Sequence, residues 1–303
     1  MPHTISDRII CTYLYVITKY GYPPPAGDMI AHVREMSGLG FSSIELEGIR
    51  KDHLEQVYSN REELSTEIQR LGLHVPFFCA VLPGLASPDA DERKENLLLF
   101  EKGCKVAHLL GSSGILDNGP LPPYRFPGDI PVVRHYDEEV MLAASLPSSL
   151  DWPEYWKALV GQYREICDIA ARYGLAYHIH PSLGVLCSTT DGFLHFFDAV
   201  GRDNLRFTID TANQFLFKDN LVLALRRLKG MVEYIHVSDN RGDRLEHLVP
   251  GHGAIRWDVV FEELDRGGFS GHLGIDVGGA ETGIGDIDRA YRESAHWLTE
   301  QWL

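Results

Sequence analysis

Short β-branched or aromatic runs alternate with longer amphipathic runs from one end of the chain to the other, eight times over. This alternation restricts the fold more than any other feature, because parallel strands need long crossovers and helices are the crossovers that cover a sheet. The spacing predicts strands at 9–17, 42–47, 74–80, 111–116, 175–180, 205–210, 232–238 and 272–277. Helices are expected at about 27–38, 51–72, 90–108, 153–173, 190–200, 219–229, 256–267 and 286–301. Gly40, Gly174 and Gly271 each stand between a helix and the next strand, where a left-handed cap is expected. Dividing 303 residues by eight gives a unit of about 38, and no Pro/Gly/Ser-rich linker separates two halves. The expected α/β fold is therefore one (β/α)8 TIM barrel spanning 1–303 as a single domain. A doubly wound open sheet is the alternative, but the turn after the first strand, TKYGYPPPAGDM, has neither G-x-G-x-x-G nor GK[ST]. The stretch 117–152 is proline-rich and too long for a plain connection, so it is expected to be an inserted lid or interface loop carrying Tyr124, Arg125, Phe126 and His135.

Charge excludes several partners. With 28 Lys+Arg against 43 Asp+Glu the net charge is −15, which disfavours nucleic acid and anionic membranes. The five cysteines are odd in number, far apart and outside any C-x-x-C pair, so reduced, buried thiols are expected. The start MPHTISDRIICTYLYVITKYG lacks the basic region and cleavage site of a signal peptide, and no apolar run is long enough to span a bilayer. A cytoplasmic protein with no membrane association is expected.

Residues able to bind a metal collect at the C-terminal ends of the later strands: His178 and His180, Asp210, His236 with Asp239, and Asp276. In a parallel barrel those ends open onto one face. Alternation along a strand turns His178 and His180 the same way. Converging imidazoles and carboxylates suit Mn²⁺, Co²⁺, Zn²⁺ or Fe²⁺ and not Ca²⁺. No organic cofactor is expected.

AYHIHP, FTIDTAN, YIHVSDNRG, VPGHGAIRWDVVFEEL and GGFSGHLGIDVGG resemble successive strand ends of the sugar phosphate isomerase/epimerase superfamily, the xylose isomerase-like barrels. GFSSIELEG resembles the second strand of that family, with its glutamate at Glu45. The resemblance implies one divalent ion held from four late strands, here by His178, Asp210, His236 and Asp276. Two of these depart from the family pattern, since glutamate is usual at the positions of His178 and Asp276; Asn213 stands where many members have histidine. The H-x-H strand resembles the myo-inosose dehydratases of the superfamily more than its epimerases. The implied chemistry is removal of a proton alpha to the carbonyl of a keto-sugar or cyclitol, through an enediolate, ending in isomerisation, epimerisation or β-elimination.

An inosose dehydratase-like enzyme or a keto-glycoside lyase is the narrower form of this expectation. His180, Asp276 and Glu45 are the proton carriers to test, and Arg241, Asn213 and Asp239 the substrate contacts. If His178 is a ligand, its lone pair is committed to the metal and proton transfer is one-sided, with His180 as the base. A non-catalytic sugar-binding barrel or subunit is the competing expectation, and a homo-oligomer is compatible with either. A nuclease of the endonuclease IV type is disfavoured by the acidic surface and the lack of a Lys/Arg cluster.

Overall fold

The computed structural model describes residues 5–127 and 138–302. Its strands are β1 (Ile9–Cys11), β2 (Ser43–Ile44), β3 (Leu46–Ile49), β4 (Phe77–Val81), β5 (Gly114–Asn118), β6 (Ala176–His180), β7 (Leu205–Phe207), β8 (Ile209–Asp210), β9 (Tyr234–Val237) and β10 (His272–Ile275). They form two parallel five-stranded sheets, ordered β2-β1-β10-β9-β8 and β3-β4-β5-β6-β7. Only Glu45 separates β2 from β3, and only Thr208 separates β7 from β8. The two sheets therefore share two interrupted staves and close into the expected eight-staved barrel. Backbone bonds carry the closure: Glu45 N donates to Cys11 O at 2.9 Å and Thr208 N to Ile179 O at 2.9 Å.

Strands buried on both faces read as continuous apolar runs, as FFCAV in β4 does, with every residue buried. The helices are stopped and started by local chemistry. Asp151, for example, accepts from Glu154 N at 3.0 Å to cap the helix Trp152–Arg172. Among the described residues no helix is long and apolar enough to cross a membrane. All five cysteines are free and buried.

Three local expectations are corrected. The first strand ends at Cys11 instead of running to 17, and Leu14–Tyr20 is a helix. The run IICTYLYVI is apolar throughout, so periodicity cannot tell strand from buried helix there. The helix expected at 51–72 is two, Arg50–Ser59 and Arg61–Leu71, meeting at Asn60. Gly271 is not the left-handed cap of its helix; Gly268, with φ 68°, fills that role. At Gly271 a side chain is excluded instead by the backbone, since a Cβ would lie 2.1 Å from Glu233 O.

The lower half of the barrel interior is filled. Phe77 stacks on Tyr234 with centroids 4.1 Å apart, and His178 meets Phe77 edge-on at 5.0 Å. Gly274 belongs to this layer because a Cβ there would lie 2.3 Å from Tyr234 Oη and 2.9 Å from Thr12 Cγ2. Gly274→Ala is expected to cost about 1–3 kcal/mol by overpacking. A lowered urea midpoint with unchanged slope checks this; an unchanged midpoint would mean that the layer is loose.

The inserted stretch starts at the C-terminal end of the barrel, where Gly119 N donates to His180 O at 2.8 Å. Arg125 and Ser145 pair antiparallel, and Tyr124 Oη donates to Gly184 O at 3.3 Å. His135 lies outside the described residues.

Candidate metal centre

His180, Asp210, His236 and Asp276 each offer one ligand atom, and these four atoms lie within 4.8 Å of one another, all buried. Strand register brings them together. His180 pairs with Asn118, Asp210 with His236, and His236 with Gly274, two residues before Asp276. The sequence separation is nearly a hundred residues, yet all four stand at the same rim of the barrel.

Each side chain is braced. Asp210 caps the short helix Thr211–Leu216: its Oδ1 accepts from Asn213 N at 2.9 Å, and its Oδ2 from Asn213 Nδ2 at 2.8 Å and His180 Nε2 at 2.9 Å. On the other side of that imidazole, Asn118 Oδ1 lies 3.1 Å from His180 Nδ1 and so directs Nε2 towards the cluster. Thr12 Oγ1 donates to Asp276 Oδ1 at 3.2 Å. His236 Nε2 faces Glu45 Oε2 at 3.1 Å.

The charges of the cluster set one another's ionisation. Burial opposes ionisation of His236, yet the carboxylates of Glu45 and Asp276 carry its pKa up to about 9. Burial also opposes charge on Asp210, but the imidazoles of His180 and His247 hold its carboxyl well below the usual range. His180 itself is lowered, chiefly by burial. His236 Nδ1 is buried with no hydrogen-bond partner, 3.9 Å from Asp276 Oδ1. Two imidazoles and two carboxylates, converging in a buried site with one ring nitrogen left over, are the donor set of a Mn, Fe, Co or Zn ion. The residues present fit such an ion.

The structure does not bring His178 into this group. It lies one pleat below His180, paired with Leu116 and Arg206, beside Phe77. Both of its ring nitrogens lack hydrogen-bond partners, and burial with the nearby Arg206 charge lowers it to about 3. Two residues along a strand amount to about 6.6 Å, which is the distance between the rim and the filled layer. Facing the right way is not enough; depth decides which histidine reaches the cluster.

The three expected substrate contacts each bond to the scaffold. Arg241 Nη1 pairs with the buried Glu246 at 2.9 Å. Asp239 accepts from Gly251 N, Ile255 N and Trp257 Nε1 at 2.8–3.1 Å, tying down the loop after β9. Asn213 braces Asp210 and donates to Pro181 O at 3.0 Å. Glu45, by contrast, lies where the sequence reading expects it, at the cluster. It lines a small pocket together with Tyr22, Glu47, Leu116, Asn118 and the three cluster members His180, His236 and Asp276.

Thr12, Glu47 and Asn118 escaped sequence reasoning, and so did a histidine. His247 is fully buried, with Nε2 3.8 Å from Asp210 Oδ2 and 3.7 Å from Asp276 Oδ2, and with Nδ1 3.1 Å from Glu281 Oε1. It comes from the loop after β9, folded back by isolated pairings of Asp239 with Leu248 and His247 with Gly278. No periodicity marks such a loop.

Comparison with known proteins gives a consistent fold. The family described as xylose isomerase-like TIM barrel matches residues 33–301. An inosose dehydratase of Erwinia tasmaniensis is 24% identical over 147 residues, 41% of this chain and 48% of the relative. The chain thus spans about half the length of the curated relatives it matches. Among solved structures, the 3-keto-D-glucoside 4-epimerase of E. coli superposes with TM-score 0.72 at 19% identity, covering 97% of this chain and 100% of that one. An L-ribulose 3-epimerase superposes with TM-score 0.73 at 15% identity, over 98% and 94% of the two chains.

Proposed function

The chain belongs to the xylose isomerase-like TIM barrel family, and from that premise we propose that it is an enzyme that removes the proton alpha to the carbonyl of a keto-sugar or cyclitol, with His180, Asp210, His236 and Asp276 holding a divalent ion. The observation that carries this reading is the convergence of four donor atoms within 4.8 Å beside the carboxylate of Glu45. When bound there, the ion supplies Lewis acidity, which makes a proton next to a carbonyl removable near neutral pH.

The chain's own groups do the rest. Glu45 is the base: it is buried at the cavity wall, and His236 fixes its carboxylate from one side. A carboxylate held in a low-dielectric pocket within reach of a substrate carbon is suited to general-base catalysis. His180 does not serve as the base, because its Nε2 belongs to the cluster and its Nδ1 to Asn118. Asn118 and Thr12 keep His180 and Asp276 aimed.

The narrower reading is β-elimination: Glu45 takes the proton from the carbon alpha to the carbonyl, the hydroxyl on the next carbon leaves as a double bond forms between the two, and the proton held by Glu45 goes out with it as water. It is supported by the imidazole at His180, which offers no carboxylate to return a proton from the opposite face, and by the likeness to an inosose dehydratase. The test is incubation of the Mn²⁺-loaded protein with inososes and ketohexoses in D₂O. Deuterium at one carbon together with dehydrated product is expected. Reversible epimer formation would replace elimination by epimerisation, and no exchange with any ketone would leave a non-catalytic barrel.

A further inference from the structure

A second, small chamber adjoins the cluster pocket and shares Tyr22, Val81 and Asn118 with it as walls. The shared walls set this chamber beside the space in front of the cluster, where the far end of a substrate would lie if its carbonyl stood at the cluster. Asn118 is the hinge between them, with Oδ1 on His180 on one side and the second chamber on the other.

Arg50 lines the second chamber, and it is unusual in three ways. It is the only lysine or arginine among the described residues that line either space. Its backbone is left-handed, with φ 55°, a conformation that costs a non-glycine residue about 1 kcal/mol or more and that concentrates at functional sites. Its Nε is buried with no hydrogen-bond partner, and among the described residues no ion pair reaches its guanidinium. Asp117, which lines the same chamber, is turned to backbone donors instead, accepting from Asn118 N at 2.7 Å and Leu82 N at 3.4 Å. Arg50 also opens the helix Arg50–Ser59, whose free N–H groups add positive potential at the same spot. A guanidinium with no carboxylate partner on the wall of a cavity is suited to receive an oxyanion from a ligand.

We propose that Arg50 is a specificity residue for an oxyanion, a carboxylate or a phosphate, carried by the substrate at the end remote from its reacting carbonyl, with the second chamber as the subsite that holds it. This rests on the function proposed above for the position of the carbonyl. Charge then orients the substrate: Glu45, Glu47 and Asp276 line the cluster pocket and repel the oxyanion, while Arg50 in the adjoining chamber receives it. The substrate class narrows to keto-sugar acids or phosphorylated keto-sugars.

Calorimetric titration of the Mn²⁺-loaded protein with D-glucuronate, glucose 6-phosphate and D-glucose tests the subsite without turnover. At least one oxyanionic sugar is expected to bind about 30-fold or more tighter than glucose, and the two arms separate carboxylate from phosphate. Arg50→Gln should remove about 10–100-fold of that preference. Arg50→Gly relieves the left-handed strain, so it should melt no lower than the parent while losing the same preference, which separates binding from folding. Equal binding of the three sugars, or a preference that survives both substitutions, overturns the proposal. Deuterium exchange with a neutral keto-sugar separates the two claims. Exchange without an Arg50-dependent preference sinks the subsite alone, whereas an Arg50-dependent preference without exchange on any ketone sinks the catalytic reading alone.

Discussion

Asp210→Ala is expected to abolish stoichiometric Mn²⁺ binding and to lower α-proton exchange by about 10³-fold or more. Asp210 is both a donor atom of the cluster and the anchor of its neighbours, accepting from His180 Nε2 and from two nitrogens of Asn213. Its removal takes away one of two cluster carboxylates and leaves His180 free to turn. Loss of a supporting group alone typically weakens metal affinity 10–100-fold, so loss of a ligand that is also a support must exceed that. His178→Ala is the contrast. It opens a hole beside Phe77 and should lower stability, but Mn²⁺ affinity should stay within about threefold, because the side chain lies a full pleat below the cluster. Thermal shift on adding Mn²⁺, read beside calorimetry, separates the two effects. Retained affinity in the Asp210 variant with lost affinity in the His178 variant would return His178 to the ligand set.

Glu45→Gln should leave Mn²⁺ binding nearly intact and lower the exchange rate by about 10²–10⁴-fold, the usual worth of a positioned general base. The amide keeps the shape of the carboxylate and can still accept from His236 Nε2, which Glu45 faces at 3.1 Å. What it loses is the ability to take a proton. The effect should fall on kcat, with KM little changed, since ground-state contacts persist. A variant that exchanges deuterium at the parent rate would move the base to Glu47 or Asp276, the other carboxylates lining the cavity.

The barrel was legible because alternation of strand and helix leaves few alternatives, and the late strands announce their polar ends. What sequence could not show was depth. His178 and His180 share a face by the period-two rule, and only the register of β6 against β5 and β7 puts His180 at the rim and His178 in the filled layer. The split staves were equally hidden, although Glu45 sits in one of the two breaks. Arg241, Asp239 and Asn213 follow their strands just as ligands do, but a polar residue past a strand end serves a loop as readily as a substrate, and here each bonds to Glu246, the β9 loop or Asp210. His247 and Arg50 reach their places through a folded-back loop and a left-handed residue, neither of which leaves a periodic trace.

The most direct measurement is anomalous diffraction at the manganese edge from crystals of the protein grown with Mn²⁺. The account predicts one peak per chain, within bonding distance of His180, Asp210, His236 and Asp276, with His178 apart from it. A peak bound by His178, or no peak at this rim at Mn²⁺ concentrations that support α-proton exchange, would contradict it.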